Sequence, residues 1–161
     1  KQEILESIVE RMNQMDAERA KKYEMPEGNM AEVIAGYKDT ALDKIKQYTK
    51  VQLLHWTEEE FPCRFRKMLT LEQYRDPDMA ELYQNYLAKG PVAYIEKIFA
   101  GLTKNDKDAR QLALEFYGPI FLLYSLYDGT DEKQDVTKMV EQHVERFSKR
   151  LEDTEESSKK D

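Results

Sequence analysis

The side chains best able to do chemistry in this sequence are two histidines, one cysteine and a run of three glutamates. His55 and His143 could ligate a metal or respond to pH. Neither has a second His or Cys three or four residues away, so neither opens a zinc-type spacing. A di-iron bundle needs Glu-x-x-His pairs, and the residues three before the histidines are Gln52 and Val140. Cys63 lies beside Arg64 and Arg66, a setting that suggests a redox sensor, but no resolving cysteine exists; a small half-buried side chain is the plainer reading. Glu58-Glu59-Glu60 reads as a helix start facing the helix dipole, not as an acid/base pair. There is no Gly-rich phosphate loop and no Ser–His–Asp arrangement to single out. The expectation is therefore no catalytic residue, no metal, no cofactor and no enzyme.

The same inspection favours a binding cavity. Ten tyrosines offer apolar walls with a hydroxyl at the rim, which suits a small, largely apolar ligand with few polar groups. His55, Trp56, Phe61, Arg64 and Met68 from the middle of the chain are candidate ligand contacts, with Tyr83, Tyr86, Tyr94, Phe116 and Tyr117 from its second half. For each one alone, ordinary core packing is the alternative. Arg64 or Arg66 at the mouth of a pocket would clamp a carboxylate or phosphate, against the commoner role of a solvated surface charge.

These residues must be positioned by helices. The chain of 161 residues contains 6 Gly and 5 Pro, too few to turn the many short strands of an all-β fold. Ile4, Leu5, Ile8, Val9, Met12 and Met15 give a first helix over about Gln2 to Tyr23, ended by Pro26-Glu27-Gly28. Asn29 then caps a long helix, about Met30 to Trp56, with Met30, Ile34, Tyr37, Ala41, Ile45 and Tyr48 on its stripe. Thr57 with Glu60 reads as a capping box for a helix to about Tyr74, with Pro62 harmless in its first turn and Phe61, Phe65, Met68 and Leu69 on one face. Asp76 or Asp78 caps Met79 to Lys89, and Gly90-Pro91 separates it from Val92 to Leu102. From Asp106 to about Tyr127 the chain turns apolar on every side after Leu112, with a kink expected at Pro119. After a turn at Asp128-Gly129-Thr130, Glu132 to Leu151 carries Val136, Val140, His143, Val144 and Phe147 on one stripe. The expectation is an all-α bundle of about six to seven helices over residues 1–151, with a polar, frayed tail over 152–161.

Charged residues make up 35% of the chain and the formal net charge is −7, with no local basic patch. Phosphate backbones would not be attracted to such a surface, so this chain by itself should not bind nucleic acid. The longest apolar run, Phe116 to Tyr127, is too short to span a membrane and contains Gly118, Pro119 and Ser125. A lone cysteine and no secretory signal imply a reducing cytoplasm. The chain opens at Lys1 and not at Met, which leads us to expect an N-terminal part that was removed or left out.

Three segments carry a resemblance. The opening Lys1-Gln2-Glu3-Ile4-Leu5 resembles the junction at which the DNA-binding module of the tetracycline-repressor (TetR) family leads into its fourth helix. Met68-Leu69-Thr70-Leu71-Glu72-Gln73-Tyr74-Arg75-Asp76-Pro77 is similar to the mid-domain stretch of a subgroup of these bacterial regulators. Gln111-Leu112-Ala113-Leu114-Glu115-Phe116-Tyr117-Gly118-Pro119, continuing to Gly129, resembles the penultimate helix of that subgroup. The resemblance implies the ligand-binding and dimerisation domain of a TetR-type transcriptional repressor. It implies a homodimer whose last two helices form a four-helix bundle and a cavity that admits a small-molecule effector. It also implies a first helix that moves the DNA-binding domains. The helix-turn-helix is absent from this chain, so operator DNA would be bound only through that N-terminal domain.

The residues support a dimer without the family. Between Leu112 and Tyr127 apolar side chains point every way, and small residues at Gly118 and Ser125 let another helix approach. The expected interface is Leu114, Gly118, Phe121, Leu122 and Ser125, joined by Val136, Val140, His143 and Phe147 from the last helix. The alternative is a helical protein–protein interaction module with an exposed groove and no cavity.

Overall fold

The computed structural model describes residues 2–23, 42–102 and 106–158. They form α1 (Gln2–Lys22), α2 (Leu42–Thr57), α3 (Glu60–Glu72), α4 (Pro77–Leu87), α5 (Lys89–Leu102), α6 (Asp106–Gly129) and α7 (Lys133–Ser158). No strand occurs among the described residues, and none of their helices is long and apolar enough to cross a membrane. The expected cap at Asn29 and the stripe from Met30 to Ala41 lie outside the described residues.

α6 is the central element and packs against α2, α5 and α7, while α3 joins α2 to α4. Its buried residues recur at helical spacing: Ala109, Ala113, Tyr117, Ile120, Leu123, Tyr124 and Tyr127. α7 answers with Val136, Val140, Val144 and Phe147, all buried within this one chain. Met12 of α1, Leu53 of α2, Leu69 of α3 and Leu87 of α4 complete the main core, each at most 1% exposed. At about 25 cal/mol per Å2 of apolar surface, burying such side chains supplies the main stabilising term.

Several boundaries depart from the sequence reading for identifiable reasons. Thr57 does not cap α3. Its hydroxyl donates to the Leu53 carbonyl at 2.8 Å, and the Glu58 and Glu59 amides still bond back to Leu54, so the N-cap of α3 falls two residues later than the capping box requires. Glu59 takes the N-cap position in an extended conformation with no side-chain cap, and Pro62 falls in the first turn. Of the two candidate caps after the next break, Asp76 acts: its carboxylate accepts from the amides of Asp78 and Met79 at 2.9 and 3.4 Å. Gly90 and Pro91 lie inside the first turn of α5 and not between helices. A Cβ on Gly90 would stand 1.9 Å from the carbonyl oxygen of Asn85, so only glycine permits this tight α4–α5 corner. At the other end, the α7 backbone is helical to Ser158, past the Leu151 end read from sequence.

The C-terminus of α6 is fastened by a polar junction. Arg66, read from sequence as a solvated charge, is buried. Its Nε donates to the Trp56 carbonyl at 2.9 Å, its Nη2 donates to both Asp128 carboxylate oxygens at 2.9 and 2.8 Å, and its guanidinium lies over the Tyr124 ring. Tyr127 donates to Glu58 at 2.6 Å, and Lys133 donates to the Tyr127 carbonyl. Cations at this end of α6 also suit the negative pole of the helix.

Pro119 sits inside α6, where the missing N–H opens the hydrogen-bond ladder. Just before it, the Phe116 carbonyl accepts from His143 Nε2 of α7 at 2.7 Å.

A candidate ligand cavity

A cavity of about 480 Å³ lies among α1, α2, α4, α5, α6 and α7. α2 presents Tyr48, Thr49, Gln52 and Trp56 to it, residues spaced so that one helical face turns inward. α4 and α5 supply Tyr86, Tyr94 and Ile98 among others. α6 lays Phe116, Tyr117, Ile120 and Tyr124 along one side, and α7 closes it with Phe147 and Ser148. α1 contributes a single lining side chain, Asp16, which is also the sole charged group on the wall among the described residues.

The polar groups around the cavity are mostly committed. Tyr117 donates to the Leu87 carbonyl at 2.6 Å, satisfying the last turn of α4. Gln52 donates to the Tyr48 hydroxyl at 2.8 Å, and Ser148 donates to the Val144 carbonyl at 2.8 Å. Tyr86 presents its ring to the cavity while its hydroxyl donates to Asn13 Oδ1 of α1 at 2.7 Å. Burial pushes the phenols of Tyr48, Tyr86, Tyr117 and Tyr124 above their ordinary range. They are neutral hydroxyls at physiological pH.

Behind the wall, α1 and α2 share a charged cluster. Arg19 pairs with Asp16 three residues earlier. His55 is fully buried; its Nδ1 lies 3.0 Å from Glu59, and its Nε2 faces Asp16 Oδ1 at 3.7 Å. Burial, followed by the Arg19 charge, lowers the imidazole below its usual range, against opposing pulls from Glu59 and Asp16. His55 Nε2 and Arg19 Nε have no hydrogen-bond partner among the described residues. A neutral imidazole donating Nδ1–H to Glu59 keeps an acceptor lone pair on Nε2.

Of the ten candidate ligand contacts, Trp56, Tyr86, Tyr94, Phe116 and Tyr117 line the cavity. His55 lies buried behind the wall, and Met68 and Tyr83 pack against the main core. Phe61 and Arg64 border a separate cleft of about 420 Å³ between α1 and α3. There Arg11 covers the Phe61 ring, and Arg64 is exposed and paired with Glu60 at 2.8 Å. Asp16, Gln52 and Tyr124 were not anticipated. The Tyr48–Gln52–Trp56 spacing was the available signal for α2, while nothing near Asp16 distinguishes it from the solvated carboxylates of α1.

The candidate interface divides between two surroundings. Leu114, Gly118, Phe121, Leu122 and Ser125 are exposed along one face of α6, continued by Leu126 and by Met139 of α7. Val136, Val140 and Phe147 instead fill this chain's own core. His143 is half-buried, held by Phe116 through the bond to its carbonyl and a ring contact. Cys63 is half-buried and free, and among the described residues no three His, Cys, Asp or Glu side chains converge as metal ligands. Comparison with family models, curated proteins and solved structures finds no match to the chain.

Proposed function

We propose that this chain is the effector-sensing and dimerising domain of a TetR-type transcriptional repressor, taking a small, largely apolar ligand into its cavity. The observation that carries the reading is the cavity itself. Its size suits a drug-like or metabolite-sized molecule, and its wall is mostly aromatic and aliphatic with a few placed polar groups. Support for a relay through α1 comes from two links. Asp16 belongs to α1 and lines the cavity, and the Tyr86 ring on the wall is bonded through its hydroxyl to Asn13. A ligand that displaces Tyr86 or engages Asp16 acts directly on α1, which would carry the change to a DNA-binding domain preceding it. Support for the homodimer comes from the exposed apolar face of α6, where Gly118 leaves open space for a second helix.

The test combines ligand screening with mass measurement. A panel of apolar metabolites and drugs should contain a compound that raises the melting temperature. The expected stabilisation is about 3–4 kcal/mol at 100–1,000 times its dissociation constant. Sedimentation should show two chains per particle, and Leu122→Arg on the exposed face of α6 should leave one. A single-chain particle at high concentration, with no compound raising the melting temperature, would favour the interaction-module alternative.

A further inference from the structure

The proposed ligand site deepens into a statement about charge. We infer that the cavity recognises a lipophilic organic cation, held between aromatic faces and the Asp16 carboxylate. The inference rests on the reading of the cavity as a ligand site. Trp56, Tyr86, Tyr94, Phe116 and Tyr117 all border it, and the faces of such rings are electronegative and attract cations. No lysine or arginine among the described residues lines the wall, so an anionic guest would lose its water with no positive partner in return.

Asp16 decides between a neutral and a cationic guest. Its side chain is 38% exposed, and a molecule filling the cavity would cover part of that surface. A neutral apolar guest strips water from the carboxylate and offers nothing in exchange, whereas a cation replaces the lost hydration. Arg19 weakens this preference without removing it, since its charge reaches the cavity phenols of Tyr48 and Tyr124. It pairs with Asp16 through Oδ1, the oxygen that also faces His55, and it is not itself part of the wall. Glu59 adds a second carboxylate beside His55, whose burial favours the neutral ring, so the Asp16–Arg19–His55–Glu59 cluster is net negative.

The test uses Trp56, the single tryptophan of the chain, whose emission reports on occupancy. Tetraphenylphosphonium and tetraphenylborate share size and shape and differ in the sign of charge; N-phenyl-1-naphthylamine is a neutral probe. At salt sufficient to screen the net charge of −7, tetraphenylphosphonium is expected to quench Trp56 saturably. Its half-saturation should lie at least tenfold below that of tetraphenylborate. Asp16→Asn is expected to weaken the phosphonium at least fivefold and to leave the naphthylamine unchanged, while Asp16→Glu retains the preference. Equal affinity for the two ions, or a preference for the borate, overturns the inference; so does an Asp16→Asn variant that still binds the naphthylamine and has lost no phosphonium affinity. In either case naphthylamine binding leaves the cavity reading standing. Failure of all three probes to bind removes both. Should Asp16→Asn fail to fold, the phosphonium-to-borate ratio on the unaltered chain still decides.

Discussion

Replacing Arg66 with methionine isolates the junction where α2, α3 and α6 meet. The substitution keeps most of the aliphatic stem and removes three hydrogen bonds, one to the Trp56 carbonyl and two to Asp128. The Trp56 carbonyl lies in the last turn of α2, where helix geometry supplies no donor, and an unsatisfied buried acceptor costs about 1–3 kcal/mol. Asp128 keeps 28% of its side chain exposed and can rehydrate. Losing the Nη2 contact to both its oxygens therefore adds about 1–2 kcal/mol, less than the roughly 3–5 kcal/mol of a fully buried pair with one partner removed. The sum is about 3 kcal/mol, or a fall of roughly 6–12 °C in melting temperature for a chain of this size. Urea unfolding followed by helical circular dichroism, at one fixed chain concentration, should show a lower midpoint with an unchanged slope. A double-mutant cycle with Asp128→Asn should return a coupling of at least about 1 kcal/mol. A cost below about 1 kcal/mol, together with a coupling near zero, would place Arg66 among weak surface pairs and refute the junction.

Gly90→Ala should destabilise the chain by about 3 kcal/mol, because the new methyl meets the Asn85 backbone and one helix must shift; an unchanged melting temperature would exclude the tight α4–α5 corner. In alkali, the raised phenols of Tyr117, Tyr124 and Tyr127 stabilise the fold below pH ~10, with Tyr127 pushed up to about 12 by burial and its bond to Glu58. That stability is lost as pH rises through the folded-state values, so phenolate absorbance should appear in step with unfolding and not ahead of it. In acid the sign reverses. The lowered His55 value means the unfolded chain binds the proton first, so stability is full above the ordinary 6.5 and is lost as pH falls through the folded-state value. His55→Gln should flatten this limb, and an unaltered slope would show that another group carries it.

How much of this architecture was legible depended on what each residue's neighbours in sequence could reveal. The stripes of α6 and α7 were readable because burial on a helix repeats every three or four positions, and Ala109 to Tyr127 obeys that spacing. The same periodicity could not assign sides. Val136, Val140 and Phe147 look like a partner-facing seam, yet within the chain they are buried in its own core clusters. Arg66 was illegible because its partner Asp128 lies 62 residues away in what reads as an ordinary turn. Asp16 was hidden in the polar face of α1 for a similar reason. Thr57 misled through local chemistry: its hydroxyl serves a cap or its own preceding turn equally well, and the structure uses the second. Of the cavity, the aromatic half announced itself by residue type, while Asp16, the single charge on the wall among the described residues, did not.

Pro119 leaves α6 one ladder bond short of a continuous rod. Bending therefore costs less at that position than elsewhere along the helix. The segment toward Gly129 is clamped through Asp128 and Tyr127, whereas the segment toward Asp106 carries Phe116, whose carbonyl is tied to His143. A load placed on the Phe116 ring would tilt the leading half about the proline, and α7 would feel the movement through His143, through the Phe147 ring against Phe116 and through the Arg150–Glu115 pair.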